Sequence, residues 1–213
     1  MIDVYAFATP NSLKIPIALE ELGLAYRLIP VNLRNGEQKS ADFMAINANA
    51  KVPVVVDRDV PGNEPVMLSE SGAILLYLAE KTGRLLPTAP LLRARVLEEL
   101  FFHAAGLGPA FTNSFFQKIA KTPNPETAAR ALAEAERTLN VFDTRLSGSN
   151  YVAGDEFTIA DIAHYGWLWR HEAAGVSLGG APNVKRWFDA VSDRDSVKRA
   201  IPARFRSPHR ESG

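Results

Sequence analysis

Hydrophobic positions in the first eighty residues follow two spacings that alternate along the chain. Short β-branched and apolar runs predict four strands, and apolar residues three or four positions apart predict three helices. The strands are expected at 2–7, 26–33, 53–57 and 66–68, and the helices at 13–22, 41–46 and 72–81. Pro30 lacks the amide hydrogen that an inner strand needs, so the second strand is expected at a sheet edge. The order βαβαββα predicts a small α/β domain over residues 1–83.

Beyond a linker that contains two prolines, strand-like alternation stops and only helical spacing remains. Helices are expected at 91–121, 126–146, 183–192 and 196–201, with a further one that begins near Thr158. The first should be kinked at 106–109, where two glycines and a proline fall close together. Thr158 and Asp161 have the spacing of a capping box, with Asp in the distal place. Residues 91–205 therefore predict an all-helical C-terminal domain.

Composition narrows the class of protein. Acidic and basic side chains are equal in number, 24 of each, so net charge favours neither nucleic acid nor an anionic membrane. No apolar window approaches the roughly 18 residues of a membrane span, and no signal peptide is evident, so we expect a cytoplasmic location. Cysteine is absent, which excludes disulfide scaffolds, Cys-rich zinc sites and a protein-thiol redox mechanism. The four histidines lack ligand spacing, so no metal site is expected.

The first segment that carries candidate chemistry is residues 51–56, where Pro53 stands at the start of a β-branched run. A cis bond before proline costs only about 0.5–1 kcal/mol. Such a bond would turn the backbone N–H and C=O of Val52 outward, where an extended ligand can pair with them. The alternative is an ordinary proline that begins a strand.

The second segment is residues 69–74, where Ser71 is expected to be the N-cap of the next helix. Free amides and the dipole at a helix start favour an anion, whereas the neighbouring Glu70 offers a carboxylate to an ammonium. Adjacent seats for an anion and a cation fit the zwitterionic end of an amino acid. Together the two segments predict a pocket for a small peptide with a free α-amino-acid end.

In this order and layout the chain resembles a cytosolic glutathione transferase over nearly its whole length. The resemblance implies a thioredoxin-like N-terminal domain, a helical C-terminal domain, glutathione as cosubstrate and a homodimer. It implies that Pro53 is the family's cis-proline. The backbone beside it, at Val52, then pairs with the cysteinyl part of glutathione. It also implies that Glu70 and Ser71 bind the γ-glutamyl end.

The turn before the first helix indicates the subclass. The run Thr9-Pro10-Asn11, with residues 36–38 and 47–53, resembles the bacterial nu class and fungal relatives akin to the yeast prion protein that regulates nitrogen use. In that class, the resemblance implies, two glutathione molecules occupy each site and disulfides are reduced without a protein cysteine. Ser12 departs from the pattern, which has a glycine at this position.

Thr9 and Asn11 are the candidate catalytic residues, because a hydroxyl and an amide at a helix start can stabilise a glutathione thiolate by hydrogen bonds. Each can instead be only a helix cap. Gln38 can offer its amide to the glycine end and Lys51 its charge to a carboxylate, with solvated loop residues as the alternative. Arg130, by resemblance, can reach the active site of a partner subunit, or be only a solvated surface charge.

The expected function is therefore reduction of small disulfides with glutathione. One alternative is conjugation of glutathione to electrophiles, with an apolar second site lined by one or two of the phenylalanines at 101, 102, 111, 115 and 116. Another is a glutathione-binding or scaffold protein that keeps the fold without the chemistry. Two glutathione molecules per subunit would favour reduction, one would favour conjugation, and none would leave the scaffold.

Overall fold

The computed structural model describes residues 1–62 and 64–201. These residues form two compact units, one made of residues 1–84 with the described residues from 194 onward, the other of residues 85–193. The first unit contains a mixed sheet with helices, and the second contains helices. The predicted fold class, thioredoxin-like α/β followed by all-helical, is confirmed. Residues 202–205 of the predicted helical domain lie outside the described residues.

The sheet of the first unit has the strand order β2-β1-β3-β4. Its strands are β1 (Ile2–Ala6), β2 (Tyr26–Pro30), β3 (Val54–Asp57) and β4 (Val66–Ser69). β1 runs parallel to β2 and antiparallel to β3, and β3 runs antiparallel to β4. β2 therefore lies at an edge, as Pro30 predicts.

Among the described residues before the second unit there are three α-helices, α1 (Pro10–Leu22), α2 (Ala41–Ile46) and α3 (Ser71–Thr82), and two 3₁₀ turns, Leu33–Asn35 and Glu37–Lys39. The core of this unit lies where α1 packs against α3 and β1, and α3 against β4. Four of its side chains, Val4, Leu13, Val55 and Ile74, are fully buried. Burying a side chain of this size stabilises the fold by about 1.5–3 kcal/mol. The apolar spacing that predicts these helices is thus the spacing that fills the core.

The second unit contains five α-helices among its residues. They are α4 (Pro90–Phe102), α5 (Gly108–Lys118), α6 (Pro125–Arg145), α7 (Ile159–Leu168) and α8 (Pro182–Ser192). A π-helical turn, His103–Leu107, joins α4 to α5. The predicted kink is therefore a local change of helix type, just before Pro109.

A capping box at the start of α7 holds the second unit together, as predicted for Thr158 and Asp161. The fully buried Asp161 carboxylate accepts hydrogen bonds from the Thr158 amide at 2.9 Å, the Val152 amide at 3.0 Å and the Trp187 indole at 2.8 Å. Burial raises the pKa of Asp161, while the hydrogen bonds act in the opposite direction. One carboxylate thus fastens α7 to α8 and to the loop before α7.

The last described helix, α9 (Asp195–Ala200), packs against α1 in the first unit. Glu21 on α1 accepts hydrogen bonds from the Arg194 guanidinium and from the Ser196 hydroxyl, the latter at 2.5 Å. The sequence predicts one helical domain over 91–205, whereas α9 belongs with the first unit. Ion pairing between acids and bases far apart in the sequence leaves no periodic pattern, so the sequence does not predict that α9 packs against α1.

Candidate functional site

Three chain segments meet at one end of the strands, where β1 and β4 end and β3 begins. Because β3 is antiparallel to both of its neighbours, Tyr5 near the end of β1, Val54 at the start of β3 and Ser69 at the end of β4 lie in one row. This end of the strands therefore carries the turn into α1, the segment before β3 and the turn into α3. These segments contain most of the site residues selected from the sequence.

Thr9 is the N-cap of α1, and its hydroxyl is used inside the turn. Its Oγ1 accepts a hydrogen bond from the Ser12 amide at 3.2 Å and donates one to Ser12 Oγ at 2.9 Å. Ser12, which stands where the pattern has a glycine, is fully buried. The helix-cap alternative therefore describes the contacts of Thr9.

Asn11 is exposed at the second position of α1. Its Oδ1 accepts a hydrogen bond from Lys14 Nζ at 2.9 Å. A lysine ammonium can only donate, so it must face the amide oxygen rather than the amide nitrogen. The NH₂ group of Asn11 is therefore left for solvent or a ligand.

The turn into α3 differs from the prediction. Glu70 holds the N-cap position, with φ 66°, ψ 111° and no capping hydrogen bond from its side chain, and Ser71 is already the first helical residue. The prediction that Ser71 is the N-cap is wrong, because the chain turns one residue earlier. A positive φ is costly for a residue other than glycine and is commonly retained at functional sites. The Glu70 side chain is exposed at this turn.

Lys14 is the site residue that sequence reasoning missed. It is 1% exposed, and its Nζ donates to Asn11 Oδ1 at 2.9 Å and to Ser71 Oγ at 3.2 Å. Burial lowers the pKa of Lys14 to about 7, while the Glu70 carboxylate acts to raise it. The available signal was a lysine inside an apolar helical stretch, three residues after Asn11 and so on the same helix face.

The segment before β3 has the geometry that the resemblance implies, since the Val52–Pro53 peptide bond is cis. Lys51 is exposed, and its carbonyl accepts a hydrogen bond from the Asn47 side chain at 2.8 Å. Gln38 lies in a short 3₁₀ turn, and its buried Oε1 has no hydrogen-bond partner among the described residues. The structure thus leaves a buried acceptor at Gln38 and an exposed ammonium at Lys51.

Arg130 lies on α6, in the second unit. Its guanidinium pairs with Glu126 one turn earlier, at 3.3 Å, and the two side chains are 82% and 84% exposed. Exposed pairs of this kind contribute little to stability. Within its own unit, Arg130 is therefore a surface residue.

The surface at this end of the strands can bind opposite charges side by side. The starts of α1 and α3 favour negative charge, and the Asn11 amide and the Ser71 hydroxyl can donate hydrogen bonds. The exposed Glu70 carboxylate can receive an ammonium. Within residues 1–62 and 64–201, no group of three or more His, Cys, Asp or Glu side chains is placed to hold a metal ion. No helix in that part of the chain is both long and apolar enough to cross a membrane.

The sequence matches the family described as "Glutathione S-transferase, N-terminal domain" over residues 2–80 and "Glutathione S-transferase, C-terminal domain" over residues 101–195. The Escherichia coli protein named disulfide-bond oxidoreductase YfcG is 40% identical over 203 residues, which are 94% of each chain.

Solved structures give the same result. A glutathione transferase family member from Pseudomonas fluorescens, with two glutathione molecules bound, has a TM-score of 0.88 at 35% identity and covers 94% of this chain and 92% of its own. A glutathione transferase from Burkholderia graminis, with two glutathione molecules per subunit, has a TM-score of 0.89 at 33% identity, with 97% and 89% covered. These matches span both compact units and confirm the family that the motifs predict, so the chain belongs to the glutathione S-transferases.

Proposed function

We propose that the protein is a nu-class-like glutathione transferase that reduces small disulfides with glutathione. The observation that carries this proposal is the 40% identity, over 94% of each chain, to a protein named disulfide-bond oxidoreductase. Because this chain contains no cysteine, every reacting sulfur must come from a ligand. One solved relative holds two glutathione molecules per subunit, which is the number that reduction of one disulfide consumes.

The γ-glutamyl end of the first glutathione binds at the start of α3. Glu70 receives its ammonium, and the Ser71 hydroxyl with the first amides of α3 binds its α-carboxylate. The cysteinyl backbone pairs with Val52, which lies just before the paired register of β3 begins at Val54. Gln38 and Lys51 bind the glycine end.

The glutathione sulfur lies at the start of α1, where the Asn11 NH₂ group donates to it. A free thiol has a pKa near 8.5, and lowering that value by about two units takes roughly 2.7 kcal/mol. One hydrogen bond to the thiolate contributes about 1.5–3 kcal/mol, and the helix start adds to it. Asn11 and the α1 dipole are therefore sufficient, while Thr9, predicted as a second thiolate donor, instead acts by holding the turn.

The reaction is two successive thiol–disulfide exchanges. The bound thiolate attacks one sulfur of the substrate, which forms a mixed disulfide and releases the first thiol. The thiolate of the second glutathione then attacks the glutathione sulfur of the mixed disulfide, which yields oxidised glutathione and the second thiol. Two electrons pass from two glutathione molecules to the substrate, and the protein supplies no sulfur.

The proposal extends to assembly and location. The protein is a cytoplasmic homodimer, and Arg130 of one subunit contacts the site of the other. The family membership and the resemblance of the active-site turn support this assembly.

Two measurements test the proposed function. Calorimetric titration should give two glutathione molecules per subunit, and the protein should reduce hydroxyethyl disulfide in the presence of glutathione. Protein that has been treated with a thiol-alkylating reagent and then washed should retain full activity. Binding of glutathione without turnover of any small disulfide would contradict the proposal.

Conjugation of glutathione to electrophiles is the second candidate. It is favoured by two apolar side chains at the surface of the second unit, Phe101 and Phe116, which are 71% and 58% exposed. Activity toward aromatic electrophiles, with one glutathione per subunit and no disulfide reduction, would place this function first. The absence of any glutathione binding would leave a scaffold protein.

A further inference from the structure

The ammonium of Lys14 lies between the two helix starts that form the proposed site. It projects from α1, is 1% exposed, and bonds both to Asn11 on its own helix and to Ser71 at the start of α3. A buried charge is costly unless polar groups surround it. A methionine of similar volume would avoid that cost, so the amine at this position contributes something other than packing.

The contacts of Lys14 fix the polarity of both neighbours. An ammonium has three donors and a neutral amine has two, so in either form Lys14 Nζ occupies the acceptor side of the Asn11 amide and of the Ser71 hydroxyl. The NH₂ group of Asn11 and the O–H of Ser71 are then left as donors to a ligand. The two groups that face the reacting sulfur and the α-carboxylate thus both present hydrogen atoms.

We propose that Lys14 is a positioning residue of the glutathione site, which aims the donors of Asn11 and Ser71 at the two anionic groups of one glutathione molecule. This inference rests on the proposed function. It adds that the thiolate end and the γ-glutamyl end of the ligand are read through one shared cation, so that loss of this cation weakens both.

The charge of Lys14 supplies a readout that packing does not. Burial lowers its pKa to about 7, and Glu70 at the start of α3 is the acid that opposes this. At pH 7.5 the Lys14 amine of the free protein is therefore mostly neutral. Anionic groups bound near Asn11 and Ser71 raise its pKa, against the smaller opposing effect of the ligand ammonium at Glu70, so binding should take up protons. Sulfur ionisation would release one, and S-methylglutathione removes that contribution because its sulfur carries no proton.

The test compares Lys14→Met with Lys185→Met, which changes an exposed lysine of the second unit. Lys14→Met should weaken binding of glutathione and of S-methylglutathione by about tenfold, while its melting temperature stays equal to or above that of the unchanged protein. It should also raise the apparent pKa of the bound thiol by about one unit. Lys185→Met should alter none of these, and Lys14→Arg, which keeps the charge, should recover part of the lost affinity.

Proton uptake is the decisive measurement. Calorimetry of S-methylglutathione binding at pH 7.5, in buffers with different ionisation enthalpies, should give a net proton uptake, caused by the α-carboxylate at Ser71, that is absent in Lys14→Met. Unchanged affinity, thiol pKa and uptake in Lys14→Met would overturn the inference while leaving the proposed function intact. A loss of melting temperature with normal affinity would also overturn it, by making Lys14 a purely structural residue. Failure of the unchanged protein to bind glutathione would instead refute the proposed function itself.

Discussion

Two side chains of the proposed site, those of Thr9 and Lys14, form hydrogen bonds with their neighbours inside the protein. Thr9 closes the turn into α1 through Ser12, and Lys14 holds the oxygen of the Asn11 amide. Each spends its own hydrogen-bonding capacity inside the protein. Substitutions at Thr9 and Asn11 should therefore have different consequences, although the two residues are neighbours in sequence.

Thr9→Ala should mainly lower stability, whereas Asn11→Asp should mainly lower activity. Loss of the Thr9 cap costs about 1 kcal/mol of unfolding free energy. Asn11→Asp keeps an acceptor for Lys14 but replaces the donor at the sulfur by a carboxylate that repels a thiolate. Thiolate absorbance as a function of pH should show a higher pKa of bound glutathione, and a loss of about 3 kcal/mol in the transition state would lower the rate by roughly a hundredfold. A larger loss of activity in Thr9→Ala would make Thr9 the thiolate donor.

Glu70 should matter for affinity rather than for folding. Glu70→Gln removes the charge and keeps the size, so the dissociation constant of glutathione should rise by about tenfold. Glu70→Gly relieves the positive φ of 66° and should also lose affinity, but without loss of unfolding free energy. Calorimetry and urea unfolding measure the two effects, with the exposed Glu64→Gln as control. Unchanged affinity combined with collapsed stability would make Glu70 a structural acid.

The sequence indicated the exposed side chains of the proposed site better than the buried ones that contact them. Asn11 and Glu70 lie in recognisable turns, and both side chains are exposed at the same end of the strands. Lys14 shares a helix face with Asn11 within an apolar run, but this position does not show whether a lysine is buried or reaches solvent. Ser71 was misplaced by one residue, because a glutamate with positive φ is not an expected N-cap. The contact between α1 and α3 that explains both residues is made only in the folded chain.

At the scale of elements, apolar spacing located the strands and helices, and differences remained at their ends. β1 and β3 were predicted within one or two residues, since buried β-branched runs have sharp limits. The long helix predicted over 91–121 is two α-helices around a π-helical turn, in the stretch that contains Gly106 and Gly108. The docking of α9 on α1 depends on pairing with Glu21, which no local pattern shows.

Glu21 should stabilise the α9 contact in a pH-dependent way. Burial alone would raise the pKa of Glu21, but hydrogen bonds from Arg194 and Ser196 hold it below its usual value. A lowered carboxyl pKa gives stability that is present above the unfolded pKa of about 4.3 and is lost as the pH falls through the folded value. Glu21→Gln should therefore lower the unfolding free energy by about 1–2 kcal/mol at pH 7, and the difference should shrink below pH 4.

Urea unfolding at pH 7 and pH 3.5 measures this difference, and hydrogen exchange of the α9 amides shows whether that helix detaches. Glu134→Gln is the matched control, since Glu134 pairs with Arg137 on the exposed surface of α6 and should change little. An equal effect of both substitutions, or a difference that persists at low pH, would rule out the α9 contact as its source.

At the scale of the whole molecule, the order of motifs carried more information than any single motif. Pro53 or Glu70 alone allows several interpretations, but their order after a strand, turn and helix predicted a family that the matches over both units confirm. The absence of cysteine then separates protein-thiol chemistry from ligand-thiol chemistry. How subunits associate is not written in such patterns, because an interface depends on surfaces from distant parts of the chain.

The proposed homodimer can be tested through Arg130, because this residue can complete a partner's site only in a dimer. Light scattering should give twice the mass of one chain, and a monomer at working concentration would exclude the shared site.

Arg130→Ala and Asn11→Asp homodimers should each be strongly impaired. A mixed dimer with one subunit of each kind, purified through two different tags, has one site with both defects and one with neither if Arg130 acts across the interface. It should then show about half the activity of the unchanged dimer, since one of two independent sites is intact. If Arg130 acts within its own subunit, both sites of the mixed dimer carry one defect and its activity stays as low as that of the impaired homodimers.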